Sequence, residues 1–185
     1  MVYDEYWAIT FKHSSQVAKA GYEIAAHSNG FIEKNLAHKY GMFHDIGKFF
    51  LKPKQDRNIH PLIGYEIMQE SKDYDTADIC ITHSFPIFDY HEYILHYCHF
   101  DKKCAEKIKN ILSNIKINIY IELIQFCDKI SGIDDYMKIE EKFEYYKKHY
   151  IISDVMANKN FDALMNIKKK LDSMCKCNVY DIILR

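Results

Sequence analysis

Tyr40-Gly41-Met42-Phe43-His44-Asp45-Ile46-Gly47-Lys48 sets an imidazole nitrogen and a carboxylate oxygen, both metal ligands, on adjacent residues. By helical period His44 lies one and two turns beyond Tyr40, Ala37 and Leu36, which points it inward. Asp45 then falls at a helix end, where a carboxylate faces the negative end of the dipole unless something positive compensates. Two readings are open: a capping or turn aspartate beside a core histidine, or two ligands of one cation. The other residues of the chain have to decide between them.

The surrounding segments are helical by pattern. Phe11, Val17, Ala18, Gly21, Ile24 and Ala25 recur at spacings of three and four, which predicts one amphipathic helix ending near Ser28-Asn29-Gly30. A second helix is expected over about 31–45. Lys52 to Asn58 is polar, contains Pro53 and has no apolar period, so it reads as a surface loop. His60-Pro61 opens a third helix and Tyr74 to His83 forms a fourth, stopped at Ser84-Phe85-Pro86. Further helices are expected at about 102–114, 118–131, 138–149 and 160–174. The fold class is therefore all-α, a single-domain helical bundle over 1–185.

Composition narrows the function classes. A chain of 185 residues is the size of one domain and buries roughly two-thirds of its unfolded surface. The most apolar stretches, such as Leu123 to Cys127, fall far short of the ~20 residues of a membrane span, and Met1 to Glu5 does not begin a secretory signal. A cytoplasmic location is the expectation. Six cysteines without a CxxC pair fit reduced thiols. A net charge of -1, with Arg57 and Arg185 the only arginines, argues against a nucleic-acid polymer as partner. Lysines such as Lys168 read as solvated surface.

Four more residues bear on the His44-Asp45 question. His13 has Val17, Ala20 and Gly21 as helical neighbours, so its face is apolar and it is either a satisfied core histidine or a ligand. Asp128 sits in Leu123-Ile124-Gln125-Phe126-Cys127-Asp128-Lys129-Ile130, apolar almost all round. A buried carboxylate needs a cation or hydrogen bonds, since desolvation costs several kcal/mol, and Lys129 is expected to point elsewhere on the helix. His60 at a helix start and His83 at a helix end are caps, surface residues, or side chains aimed into a pocket.

His13, His44-Asp45 in the form His-Asp-Ile-Gly-Lys, and the late Asp128 resemble the H…HD…D signature of the HD superfamily of metal-dependent phosphohydrolases, over about residues 10–132. The order, the 31-residue first gap and the helical settings carry the likeness. His60 in His-Pro-x-x-Gly and His83 resemble the extra ligands of the dinuclear subset, which includes symmetrical diadenosine tetraphosphatases and cyclic dinucleotide phosphodiesterases. His83-Ser84-Phe85-Pro86 departs from both, and the chain is most similar to proteins known only as HDIG-domain phosphohydrolases.

The resemblance implies an HD-domain fold and a metal centre in which His13, His44, Asp45 and Asp128 hold one ion and Asp45 bridges to a second held by His60 and His83. Mixed imidazole and carboxylate ligands suit two divalent transition ions, Fe, Mn, Co, Ni or Zn. The implied reaction is hydrolysis of a small nucleotide or related phosphoester by a metal-activated hydroxide. The alternatives are a symmetrical dinucleoside tetraphosphatase and a non-catalytic nucleotide or metal sensor. Asp45 and Lys48 are the expected catalytic residues, Lys48 and Arg57 the expected substrate-binding ones. Lys48 follows Asp45 by three residues and reaches the same pocket as a point charge, and a guanidinium at Arg57 suits a terminal phosphate. Phe85, Phe88, Tyr90, Tyr93 and Tyr97, with His91, His96 and His99, form either a base-stacking lid or ordinary packing. The expected partner is a small nucleotide or phosphoester, with no membrane, and a homodimer is left open.

Overall fold

Short polar caps divide this chain into helices. In the computed structural model, which describes residues 3–51, 55–87, 102–149 and 154–184, the order is α1 (Tyr3–Ala26), α2 (Lys34–Phe43), a 3-10 turn (Ile46–Phe50), a second 3-10 turn (Arg57–Ile59), α3 (His60–Glu70), α4 (Tyr74–Thr82), α5 (Lys102–Leu112), α6 (Ile119–Ile130), α7 (Ile139–His149), α8 (Asp154–Cys175) and α9 (Val179–Ile183). The fold is all-α. Among the described residues the only β-type pairing is an isolated antiparallel bridge between Ser131 and Tyr136, and no helix is long and apolar enough to cross a membrane.

The caps account for several boundaries. Glu33 accepts from the Asn35 and Leu36 N–H groups, so α2 starts at Lys34 and not at Phe31 as its pattern predicts. Asn118 starts α6 through the Tyr120 and Ile121 N–H groups, and Pro61 lies in the first turn of α3, where its missing donor costs nothing.

The centre of the bundle is α6, packed against α1, α2, α4 and α8. Ile121, Leu123, Ile124, Phe126, Cys127 and Ile130 join Val17, Ala20 and Ile24 of α1 in the main core, all almost fully buried. A second cluster gathers Leu62, Ile81, Phe85, Ala105, Ile108 and Leu112. Helices α1 and α2 pair closely because Gly41 has no side chain: a Cβ there would meet the Ala18 Cα at 2.5 Å. Gly47 does the same for the first 3-10 turn, where a Cβ would lie 2.0 Å from the His60 carbonyl oxygen.

Several expectations need correction. Helix α1 begins at Tyr3, and Phe11, counted with its buried face, is 57 % exposed. Asp45 lies outside α2, between that helix and the 3-10 turn. The expected loop over 52–58 contains the second 3-10 turn in its described part, and α9 was not legible as a helix. Lys168 is buried, with its ammonium donating to Asp172 (2.7 Å) and Asn178 (2.9 Å). Phe85 is core packing, not lid; Phe88, Tyr90, His91, Tyr93, His96, Tyr97 and His99 lie outside the described residues.

Replacing Gly41 by alanine forces α1 and α2 apart. Overpacking of this kind costs typically ~1–3 kcal/mol, so the thermal midpoint of Gly41→Ala is expected to fall by roughly 5 °C in calorimetry. An unchanged midpoint would show that the pair has slack the structure does not display.

Candidate metal centre

Three helix boundaries and two helix interiors deliver the polar cluster. His44 and His83 are the C-terminal caps of α2 and α4, each still bonded by its own N–H to a carbonyl four residues back, and His60 opens α3. His13 comes from the middle of α1 and Asp128 from the last turn of α6. Asp45 follows His44 with φ −103° and ψ 13°, and its side chain makes no capping bond. Asp45 is a turn residue but not a capping one, and its carboxylate is aimed into the cluster.

All six expected ligand positions converge. Asp45 Oδ2 lies 3.5 Å from His44 Nε2 and 3.8 Å from His13 Nε2, whereas Asp45 Oδ1 lies 3.0 Å from His60 Nε2 and 3.4 Å from His83 Nε2. Asp128 Oδ1 lies 3.0 Å from His13 Nε2 and 3.6 Å from His44 Nε2. The ligand atoms of His13, His44 and Asp45 lie within 4.8 Å of one another, as do those of Asp45, His60 and His83, so Asp45 is common to both sets.

The second nitrogen of each ring decides what the cluster can hold. Nδ1 of His13, His44, His60 and His83 faces the carbonyls of Gly132 (3.1 Å), Gly41 (2.7 Å), Arg57 (2.8 Å) and Cys80 (2.7 Å). A carbonyl only accepts, so each Nδ1 carries the proton and in the neutral ring each Nε2 presents a lone pair. Four lone pairs and two carboxylates then face one another. His60 and His83 Nε2 are 3.1 Å apart, and His44 Nε2 and Asp45 Oδ1 are buried with no hydrogen bond. The 3.0 Å approach of His60 to Asp45 Oδ1 is thus a close contact without hydrogen-bond alignment. Such an array is repulsive without positive charge, and its N and O donors fit a divalent transition ion.

Electrostatics within the protein are consistent with that need. Burial works to raise the Asp45 pKa, but Lys48, His44 and His60 together hold it well below the usual carboxylate value. Burial opposes ionisation of Asp128 too, and is outweighed by Lys129, His13 and His44. Burial would lower the His44 pKa, yet Asp45 and Asp128 raise it. Burial dominates at His60, whose pKa is lowered, and at His83, pushed down to about 4.

Lys48 is in the cluster as expected, its ammonium 2.5 Å from Asp45 Oδ2. The exposed Arg57 does not enter it: the guanidinium lies over the Tyr6 ring, 4.7 Å from the centroid, and only its carbonyl touches a ligand. Lys129, expected to point away, folds back to Asp128 Oδ2 at 2.7 Å, because a long side chain can curl across the angle between adjacent helical residues. Two contributors escaped the sequence reading. Gln125 donates from Nε2 to the carbonyls of Thr82 (2.9 Å) and Phe85 (3.2 Å), clamping the turn that carries His83 to the helix that carries Asp128. A lone amide inside an apolar run was its available signal. Tyr6 lies beyond the resembling region, and no signal marked it.

The neutral state of His83 has a measurable consequence. Its folded pKa lies below the unfolded value of ~6.5, so its contribution to stability is complete above pH ~6.5 and is lost as pH falls towards about 4. Chelator-treated protein is expected to lose thermal stability across that window, and His83→Gln, with no imidazole to protonate, to lose it less steeply. Equal slopes would refute this assignment.

Comparison with known families agrees with the geometry. The sequence model of the HD domain matches residues 10–132, more than half of the chain and the stretch that contains all six converging residues. No curated protein and no solved structure gives a significant match. Signature and matched stretch together place this chain in the HD domain family.

Proposed function

We propose that this protein is a phosphohydrolase that uses two divalent transition ions to cleave a phosphoester or phosphoanhydride of a small nucleotide-like substrate. The observation that carries the reading is Asp45, whose two oxygens face two different pairs of imidazole lone pairs. His13, His44, Asp45 and Asp128 would hold one ion, and Asp45, His60 and His83 the other. The ions would supply Lewis-acid polarisation of a phosphoryl oxygen and lower the pKa of water towards ~7.

The chain's own residues account for the rest. Four carbonyls lock the imidazoles with Nε2 inward, so the ligands need no rearrangement. His60 and His83, with lowered pKa values, stay neutral and serve as ligands, not acids. Burial works against the Lys48 charge, yet Asp45 more than restores it and raises its pKa, so Lys48 is a fixed cation for a phosphoryl oxygen and not a proton acceptor. In the reaction, a water oxygen gives up a proton and bonds to phosphorus, the P–O bond to the leaving group breaks, and the leaving oxygen departs with the electron pair and takes up the equivalent of that proton from solvent. Arg57, in the loop that leads into His60, is a further cation for substrate beside Lys48 and Lys129.

Metal-reconstituted protein should hydrolyse members of a panel of phosphomonoesters, nucleotides and dinucleotides. Asp45→Asn is expected to lower turnover by at least about a thousandfold, ~4 kcal/mol of transition-state stabilisation, while the exposed Lys19→Ala does not. Elemental analysis should find two ions per chain, one in His83→Ala. Nucleotide binding without turnover under any metal would instead identify a sensor.

A further inference from the structure

Tyr6 precedes His13 by seven residues on α1, so it stands two turns up the same face, about 10 Å along the axis. The Arg57 guanidinium lies over its ring, with Cζ 4.7 Å from the centroid. Arg57 is held on its backbone side as well. Its carbonyl accepts from His60 Nδ1 at 2.8 Å, and Asp56 caps its 3-10 turn by accepting from the Asn58 N–H at 2.9 Å. A loop arginine in solvent sweeps through many rotamers, whereas one resting on a ring and anchored to a ligand residue is already ordered. A ring face accepts no N–H fork, so a guanidinium held over it keeps donors for another partner, and a phosphate can take them bidentately.

The cluster thus has cations at two levels. Lys48 stands inside on Asp45, and the Arg57 guanidinium stands outside over the Tyr6 ring. Burial raises the Tyr6 pKa, and the charges of Lys48, Arg57 and Asp45 all bear on its phenol, which makes Tyr6 the neighbour common to both levels. A phosphate on Lys48 sits inside the cluster, which the Arg57 guanidinium does not enter. A second phosphate linked to it can extend outward to Arg57.

We propose that Tyr6 and Arg57 form an outer anion subsite, and that the substrate carries a second phosphate linked to the reacting one, a phosphoanhydride and not a simple monoester. This rests on the phosphohydrolase reading of the centre for the identity of the reacting group. The outer subsite itself rests on the Tyr6 and Arg57 geometry. Tyr6 lies outside the stretch that matches the family and Arg57 inside it, so the subsite joins the N-terminal turns of α1 to the loop before His60.

Calorimetric titration of the metal-loaded protein with non-hydrolysable α,β-methylene adenosine diphosphate and with adenosine monophosphate tests it. Wild type is expected to bind the diphosphate analogue about tenfold more tightly or better. That ratio should shrink to within about threefold in Arg57→Gln and Tyr6→Ala, fall partway in Arg57→Lys, which keeps charge without the fork, and persist in Tyr6→Phe, which keeps the ring. Equal affinities in wild type, or a ratio unmoved by Arg57→Gln, would overturn the subsite. Should Tyr6→Ala not fold, Arg57→Gln and Tyr6→Phe still decide. Because binding is read without hydrolysis, a protein showing the preference but no turnover would refute the phosphohydrolase reading and leave the subsite standing; a hydrolase preferring monophosphates would do the reverse.

Discussion

The Asp45 carboxylate is the constraint around which the structure is arranged. It is 1 % exposed, and each oxygen confronts imidazole nitrogens whose protons have been drawn to the opposite side of the ring by backbone carbonyls. Left alone, a buried carboxylate against lone pairs costs several kcal/mol. Within the chain, Lys48 offsets part of this from one oxygen, and Asp45 and Asp128 raise the His44 pKa against the effect of burial. In the proposed centre two divalent ions would answer the two oxygens, one from each half of the cluster.

The packing serves this arrangement. Glycine at 41 lets α2 approach α1, which brings His44 within ring contact of His13, and glycine at 47 lets the turn after Asp45 press on the first turn of α3, where His60 sits. Gln125 ties the end of α4 to α6, fixing His83 relative to Asp128 with one amide. Each of these contacts joins elements far apart in sequence, so the ligand set exists only once the bundle has closed.

Much of the candidate site was legible beforehand because its residues follow local rules. The helical setting of His13, the helix-end positions of His44 and His83, and the buried carboxylate in an apolar run at Asp128 are all properties of short windows. Reading Lys129 as pointing away failed for a local reason of another kind, since a helical wheel gives the direction of Cβ and not the reach of a four-carbon side chain. Phe11 misled because an aromatic at the right period counts as buried only if another element arrives to cover it.

Sequence alone determined that this chain is all-α, where most of its helices run, which four residues carry the H…HD…D pattern and which two histidines to set beside them, because periodicity, caps and ligand types are encoded residue by residue. The tertiary structure decided how those residues are shared. That Asp45 turns one oxygen to each half of the cluster, that Lys48 sits on it while Arg57 rests on Tyr6 above, and that every imidazole presents Nε2 inward depend on distances between helices and on carbonyls whose direction no one-dimensional pattern carries. The physical reason is that ligand identity is a property of side chains, whereas shared coordination is a property of the space between them.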